Sequence, residues 1–429
     1  MVPAMPPLSP SGLIAARRRA ERSLVAGVAL GSTGHIAAVT VSTIVAQDLL
    51  GSATFAGAPG ATIVLGAALG SVVLSALMVR RGRRVGLVAG YAIGVGGAFI
   101  ATASVLVRSF PLLLLGTLFV GFGNTSNQLS RYTAADLVPA ARRATAIGTV
   151  VWAATIGSVA GPWLVPISGD LADAAGLPPL AGPFLVPVVF VAIAALLSHR
   201  LLRPDPYEIA DESAPRAMEA APAGGALALR HVLLRPGVLA SIVALVAGQF
   251  TMVLVMTMTP LHMTQHGHDL TAVGAVLSGH TLGMYALAPL SGRLTVRIGA
   301  IRTIVLGTAV LAISSVMAAA APPAGGAILL VALFLLGLGW NLGFVAGSTL
   351  LSEHLELHER TRIQGLADAL IWSTAAAASL GSGLLMAMAG YAALGVLGAG
   401  CVVIPIAVLR ANGTALRGLA SPEAGAGKR

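Results

Sequence analysis

Long apolar stretches broken by short polar intervals run along the chain from residue 23 to residue 410. A helix needs about 20 mostly apolar residues to cross roughly 30 Å of hydrocarbon. On that measure the first six crossing helices are predicted near 23–47, 54–79, 85–107, 110–136, 145–168 and 181–202. A polar interval follows, and six more are predicted near 237–262, 270–292, 300–321, 325–352, 363–388 and 391–410. The pattern divides the chain into a tail over 1–22, a six-helix bundle over 23–202, a linker over 203–235, a second bundle over 236–410 and a tail over 411–429. The expected fold is an all-α membrane protein with twelve transmembrane helices in two pseudo-symmetric six-helix bundles.

Composition agrees and excludes much else. Of 429 residues, 56% are hydrophobic and only 10% charged, against about 25% charged in a soluble domain. Mean hydropathy is +0.88. Disorder, a disulfide scaffold and a cytosolic enzyme are excluded on these grounds. Cys401 is the single cysteine, so neither an internal disulfide nor a cysteine metal cluster can form. Lys428 is the single lysine, so no Walker lysine exists to hold a nucleotide phosphate. No enzymatic centre and no cofactor are expected.

The net charge of +10 would point to nucleic acid in a soluble protein. Here it follows the rule that basic residues stay on the inner face of a membrane. With the N-terminus inside, all of the 26 Lys and Arg residues except Arg108 fall on one side. Residues 1–22 are Pro-rich and then basic, with no cleavage pattern before the first span, and read as a cytosolic tail. The expectation is a monomeric multi-pass protein of a bacterial inner membrane, both termini cytoplasmic. Its partners are lipid and a small solute, not nucleic acid.

The two halves repeat. Arg80-x-Gly82 answers Arg297-x-Gly299 at an offset of 217, and Gly121-Phe-Gly123 answers Gly337-Leu-Gly339 at 216. Trp152 and Gly161 answer Trp372 and Gly381 at 220. Duplicated six-helix units are the architecture of many secondary transporters, with the substrate site near the midplane.

After span 2 the chain reads Ser75-Ala-Leu-Met-Val79-Arg80-Arg81-Gly82-Arg83-Arg84, and after span 8 Gly292-Arg-Leu-Thr-Val296-Arg297-Ile-Gly299. These segments resemble the cytoplasmic signature of the major facilitator superfamily, Gly-x-x-x-Asp-Arg-x-Gly-Arg-Arg, with valine at the aspartate position in both copies. The resemblance implies a cytoplasmic gate built from Arg80, Gly82, Arg83, Arg84, Arg297 and Gly299, with Asp136 at the end of span 4 as the acid that completes it. Span 5 carries Gly148, Gly157, Gly161 and Pro162 in a spacing similar to the antiporter motif of the drug:proton exporters in that family, and departs from it after Pro162. Glycines four apart let helices approach closely, and a proline frees a backbone carbonyl. Other spans are also glycine-rich, and Gly86, Gly90 and Gly94 form a similar ridge.

Polar groups inside the spans are few. Asn124, Asn127, Gln128 and Arg131 fall at i, i+3, i+4 and i+7, one face of span 4. That stripe lines a cavity or bonds to a neighbouring helix. His35 and His280 fall at mid-span depth, and an imidazole titrates near neutral pH. Each is a proton carrier or a neutral ring bonded to its neighbour. Asp368 is the one carboxylate clearly inside a span, sharing a face with Gln364 and Trp372. It reads as a proton-coupling acid or as a first-turn acid at a positive helix end. Trp152, Gln249, Trp340 and Asn341 complete the expected substrate cavity, or pack as core.

The resemblance implies an alternating-access exporter of small amphipathic or drug-like molecules, driven by a proton gradient. A proton-coupled importer or uniporter shares the fold, and a transport-inactive sensor is a reading from another class. A transition-metal transporter is a further alternative, because His262, His266, His268 and Asp269 cluster at one end of span 7 above Met252, Met256 and Met258.

Overall fold

The computed structural model describes residues 9–51, 55, 57–210, 226–268, 270–322 and 325–412. Residues 1–8, 211–225 and 413–429 of the expected tails and linker, and Asp269 of the candidate metal cluster, lie outside the described residues. Among the described residues every regular element is a helix. Contacts divide the chain into two units, Met1–Ala221 with Leu357–Ser373, and Pro222–Glu356 with Thr374–Arg429.

The first unit begins with α1 (Pro10–Leu50), which starts well before the expected span. The Ser9 hydroxyl accepts from the Gly12 N–H, Pro10 opens the first turn, and Gly51 closes the helix at φ 63°. Its 41 residues extend for about 60 Å at 1.5 Å per residue, so Arg17, Arg18, Arg19 and Arg22 are helical and lie beyond the apolar core. Next come α2 (Ala58–Arg81) and α3 (Arg83–Leu106), separated by Gly82 alone at φ 92°, ψ 163°. Then follow α4 (Phe110–Asp136), α5 (Arg143–Ala174) and α6 (Gly182–Leu201). A short α7 (Pro206–Ala210) closes the run.

Packing in this unit rests on small residues. Helix α1 packs on α5 and α6, and α4 packs on α2 and α3. A Cβ at Gly157 would stand 2.5 Å from the Ser32 backbone, and one at Gly161 2.8 Å from the Ile36 Cβ. Two glycines of the antiporter-like spacing are therefore where α5 meets α1. Ala38, Val41, Val45, Ala98, Ala101, Leu113 and Phe184 form a buried apolar core.

The expected linker is ordered at its start. Pro206, Tyr207 and Ile209 are buried, so residues up to 210 belong to the folded unit and are not a solvated connector.

The second unit contains α8 (Ala226–Leu233), α9 (Pro236–Gln265), α10 (Leu270–Tyr285), α11 (Ala288–Ile298), α12 (Ala300–Ala319) and α13 (Gly326–Glu353). Its last helices are α14 (Leu357–Cys401), which starts in the first unit, and α15 (Val403–Ala411). Helix α13 packs on α9, α10 and α12.

Span 8 was expected to be continuous, and it breaks between α10 and α11. Pro289 has no N–H to donate back to Tyr285, which ends the ladder there. Gly299 separates α11 from α12 at φ 90°, ψ 154°, nearly the conformation of Gly82. The sequence repeat at offset 217 is thus also a backbone repeat.

Among the described residues ten helical runs are long and apolar enough to cross a membrane. Helix α4 is not among them, because its polar stripe lowers its hydropathy. The last run, Leu357–Ala411, counts once although Gly390 interrupts it at φ 77°, ψ 175°. Adding α4 and dividing at Gly390 brings the crossing segments among the described residues to twelve.

Candidate functional site

The polar stripe of α4 supplies the centre of the first unit. Arg131 is buried, and its Nη2 and Nη1 lie 2.5 and 3.3 Å from the two carboxylate oxygens of Asp368. Side-chain exposure is 2% for the arginine and 1% for the acid. The Tyr132 hydroxyl accepts from Arg131 at 3.0 Å and donates to Asp368 at 3.4 Å. Its ring centroid lies 4.2 Å from the guanidinium carbon. The Gln128 backbone and side-chain oxygens accept from Arg131 at 2.5 and 3.3 Å. Removing one partner of such a desolvated pair is costly, because the other charge is left buried and unpaired.

Asn127 takes a different part. Its Oδ1 accepts from Tyr91 on α3 at 3.0 Å, and its Nδ2 is buried without a hydrogen-bond partner. Asn124 is buried on the same face.

A second network lies where α3 begins. Arg83, fully buried, donates at 2.7 Å to both Asp136 Oδ2 and Gln364 Oε1, and Arg360 reaches Asp136 Oδ1 at 3.2 Å. Asp136, expected as the acid of the gate, is paired here with Arg83. Gln364 and Asp368, expected on one cavity face, serve two different arginines.

Of the other gate residues, Arg80 is exposed and Arg84 donates to the His199 carbonyl at 3.4 Å. In the second unit Arg297 and Gly299 are exposed.

The segment after α6 completes this network, and the sequence reading missed it. Asp205 accepts from the backbone N–H groups of Arg83, Arg84 and Tyr207 at 3.2, 3.0 and 3.0 Å. It thereby caps α3 across a long sequence distance, and Gly82 leaves the space that Asp205 fills. Tyr207 bonds through its hydroxyl to Thr361, and its ring centroid lies 5.5 Å from the Arg83 guanidinium. Burial pushes the Tyr207 phenol up to about 12, so it stays protonated. Arg17 and Arg19 of α1 donate to carbonyls of Ile209, Leu201 and Arg203 and hold the segment in place. An Asp-Pro pair beside a helix end was the available signal.

The remaining candidates are dispersed. His35 is half-buried, and its Nδ1 is shielded with no hydrogen-bond partner. Trp152 is 38% exposed on α5, and Trp372 is half-buried on α14.

In the second unit His280 is buried, with its Nδ1 donating to the Leu333 carbonyl at 2.8 Å. The buried Trp340 donates its Nε1–H to Gln249 Oε1 at 2.8 Å, stacks on Phe344 at 4.4 Å and meets Tyr285 edge-on at 6.0 Å. Asn341 accepts from Ser291 at 2.5 Å and donates to the Met284 carbonyl at 2.6 Å. It therefore bridges the break between α10 and α11.

At the C-terminal end of α9, His262 stacks on Tyr391 with centroids 4.2 Å apart and lies 4.3 Å from the His266 ring. Among the described residues no group of three or more His, Cys, Asp or Glu is placed to hold a metal ion.

Comparison with known proteins places this architecture. The Major Facilitator Superfamily model matches residues 23–380. An uncharacterized MFS-type transporter, YdeG of Bacillus subtilis, is 37% identical over 380 residues, covering 88% of each chain. The riboflavin transporter RfnT of Brucella anthropi is 29% identical over 88% of this chain and 91% of its own. The human organic anion transporter MFSD10 shares the fold, with a TM-score of 0.72 at 16% identity over 92% of this chain and 99% of that one. The family match and the Bacillus relative each cover most of the residues in which the repeat, the Gly82 turn and the Arg83–Asp136 pair occur, and the chain belongs to the Major Facilitator Superfamily of membrane transporters.

Proposed function

We propose that the protein is a proton-coupled antiporter that exports small amphipathic molecules, acting as a monomer in a bacterial inner membrane with both termini cytoplasmic. The observation that carries this reading is the desolvated Arg131–Asp368 pair. A proton arriving at Asp368 removes the charge that holds Arg131. The 357–373 segment is then released from α4, and loss of the proton restores the hold. Coupling follows because the pair and the proton compete for the same carboxylate. Asn124, Asn127 and Gln128 on α4 and Trp152 on α5 are the substrate contacts of this reading. His35 and His280 lie outside the switch, since neither bonds to the Asp368 network.

The test is reconstitution into liposomes with an imposed pH gradient. Proton movement is read by an internal pH dye, and a panel of labelled cationic and neutral amphiphiles is followed. Substrate movement against the proton flow is expected. Asp368→Asn should exchange substrate without responding to the gradient, while His35→Gln and His280→Gln keep the coupling. Transport that ignores the gradient sinks the proposal.

A second reading of the cargo comes from the riboflavin transporter relative. It makes the substrate a flat, hydrogen-bonding heteroaromatic, and riboflavin belongs in the same panel. Riboflavin moving together with protons would replace export by import.

A further inference from the structure

We propose that the C-terminal end of α9 is a binding site for one late first-row divalent transition-metal ion, held by the imidazoles of His262 and His266. The two residues are one helical turn apart, and their rings stand 4.3 Å from each other. His266 donates its Nδ1–H to the His262 carbonyl at 2.7 Å. That bond fixes the tautomer and leaves the Nε2 lone pair of His266 free to ligate. The Nε2 of His262 is shielded from solvent with no hydrogen-bond partner. A buried polar atom left so is costly, and a coordinated ion removes that cost.

Three further features favour a cation here. The site lies at the end of α9, where the last carbonyls form the negative pole of the helix. No Lys or Arg occurs between Met258 and His268, so nothing basic on this element repels an ion. Tyr391 stacks on His262 with only 12° between the ring planes, and its hydroxyl bonds to Thr259 at 2.8 Å. The His262 ring is therefore held by its stack on Tyr391, within 4.3 Å of the His266 ring.

Imidazole nitrogen selects copper, nickel and zinc over calcium and magnesium, which take oxygen. With two protein ligands the other coordination positions belong to water, so the ion exchanges readily and is not a structural centre. Tyr391 directly follows the Gly390 break in α14. An ion at His262 thus stands against the residue at which that helix changes direction, where it would regulate and not be carried.

The experiment uses the full chain, purified in detergent without a polyhistidine tag, and one equivalent of Cu(II). Electron paramagnetic resonance should show a single copper with hyperfine structure from two nitrogens, and excess Ca(II) should not displace it. His262→Phe keeps the stack on Tyr391 and removes the ligand; its melting temperature checks the fold. His262→Phe and His266→Ala should each weaken Cu(II) binding at least tenfold, and His268→Ala should leave it unchanged. A two-nitrogen signal that survives His262→Phe combined with His266→Ala overturns the proposal. Absence of a two-nitrogen copper in the unmodified chain, or its loss in His268→Ala, does so equally.

Discussion

Replacing Asp368 by Asn leaves the shape of the Arg131 site almost unchanged and removes one buried charge. The guanidinium nitrogens lie 2.5 and 3.3 Å from the carboxylate. Unit charges about 3 Å apart attract by about 5–6 kcal/mol at an effective dielectric near 20. Removing one partner of a buried pair is measured at about 3–5 kcal/mol. The bonds from Arg131 to Gln128 and Tyr132 survive the substitution, which places the expected loss near the lower end, about 3 kcal/mol. For a unit of this size each kcal/mol moves the melting temperature by about 2–4 °C, so a fall of about 6–12 °C is expected. Thermal unfolding in detergent, followed by tryptophan fluorescence, measures it. The double variant Arg131→Met with Asp368→Leu removes both charges and should recover most of the loss, because an apolar pair of similar volume replaces a buried ion pair at little cost. The double variant is then stable and uncoupled, which separates the structural role of the pair from its role in transport. A melting temperature for Asp368→Asn within 2 °C of the unmodified protein would refute the reasoning, as would a double variant as unstable as the single one. The exposed Arg108–Asp48 pair, 64% and 45% accessible, provides the contrast: Asp48→Asn should cost at most about 1 kcal/mol.

Asp205→Ala removes the acceptor of three backbone N–H groups and should cost about 1–2 kcal/mol, as loss of a helix cap does; the melting temperature reads this, and Glu208→Gln beside it should be silent. Gly157→Ala should cost about 1–3 kcal/mol by forcing α5 off α1, whereas Gly381→Ala, with nothing within 4 Å of the added Cβ, should be tolerated in both melting and transport. The Tyr207 phenol is raised to about 12 from an ordinary value of about 10, so the folded state keeps this proton longer than the unfolded one. The resulting stability is complete below about pH 10 and is lost as pH rises toward 12. Melting curves between pH 9 and 11.5 should fall more steeply for the unmodified protein than for Tyr207→Phe.

The sequence shows these features to unequal depth. The α4 stripe was legible because i, i+3, i+4 and i+7 spacing places side chains on one face whatever the surroundings. Asp368 stood out as an acid among apolar neighbours. Their pairing was not legible, since helical spacing carries no information across 237 residues. Asp136 could be assigned to the gate only through the resemblance to the family signature, and its partner Arg83 was not singled out. Asp205 and Tyr207 were hidden in an interval whose composition reads as a solvated linker, because burial there comes from α1, α3 and α4 and not from local pattern. The early start of α1 had a signal, Ser9 followed by Pro10, that the basic run behind it masked. Gly161 and Gly381 match in sequence, yet only Gly161 meets a neighbouring backbone. A small residue records permission for close approach, and the partner decides whether the approach occurs.

The distance along the chain between Arg131 and Asp368 is also an interval of time. With 237 positions separating them and synthesis at about 5–20 residues per second, the acid follows the base by roughly 10–50 s. Through that interval α4 enters the bilayer as the least apolar of the crossing helices, with Gln128 and Tyr132 as local company for its guanidinium. Contacts of α4 with α2 and α3 lie within the first half and are available before Asp368 is made. Until residue 368 is made, the Arg131 guanidinium has no Asp368 counter-ion and relies on its local bonds to Gln128 and Tyr132.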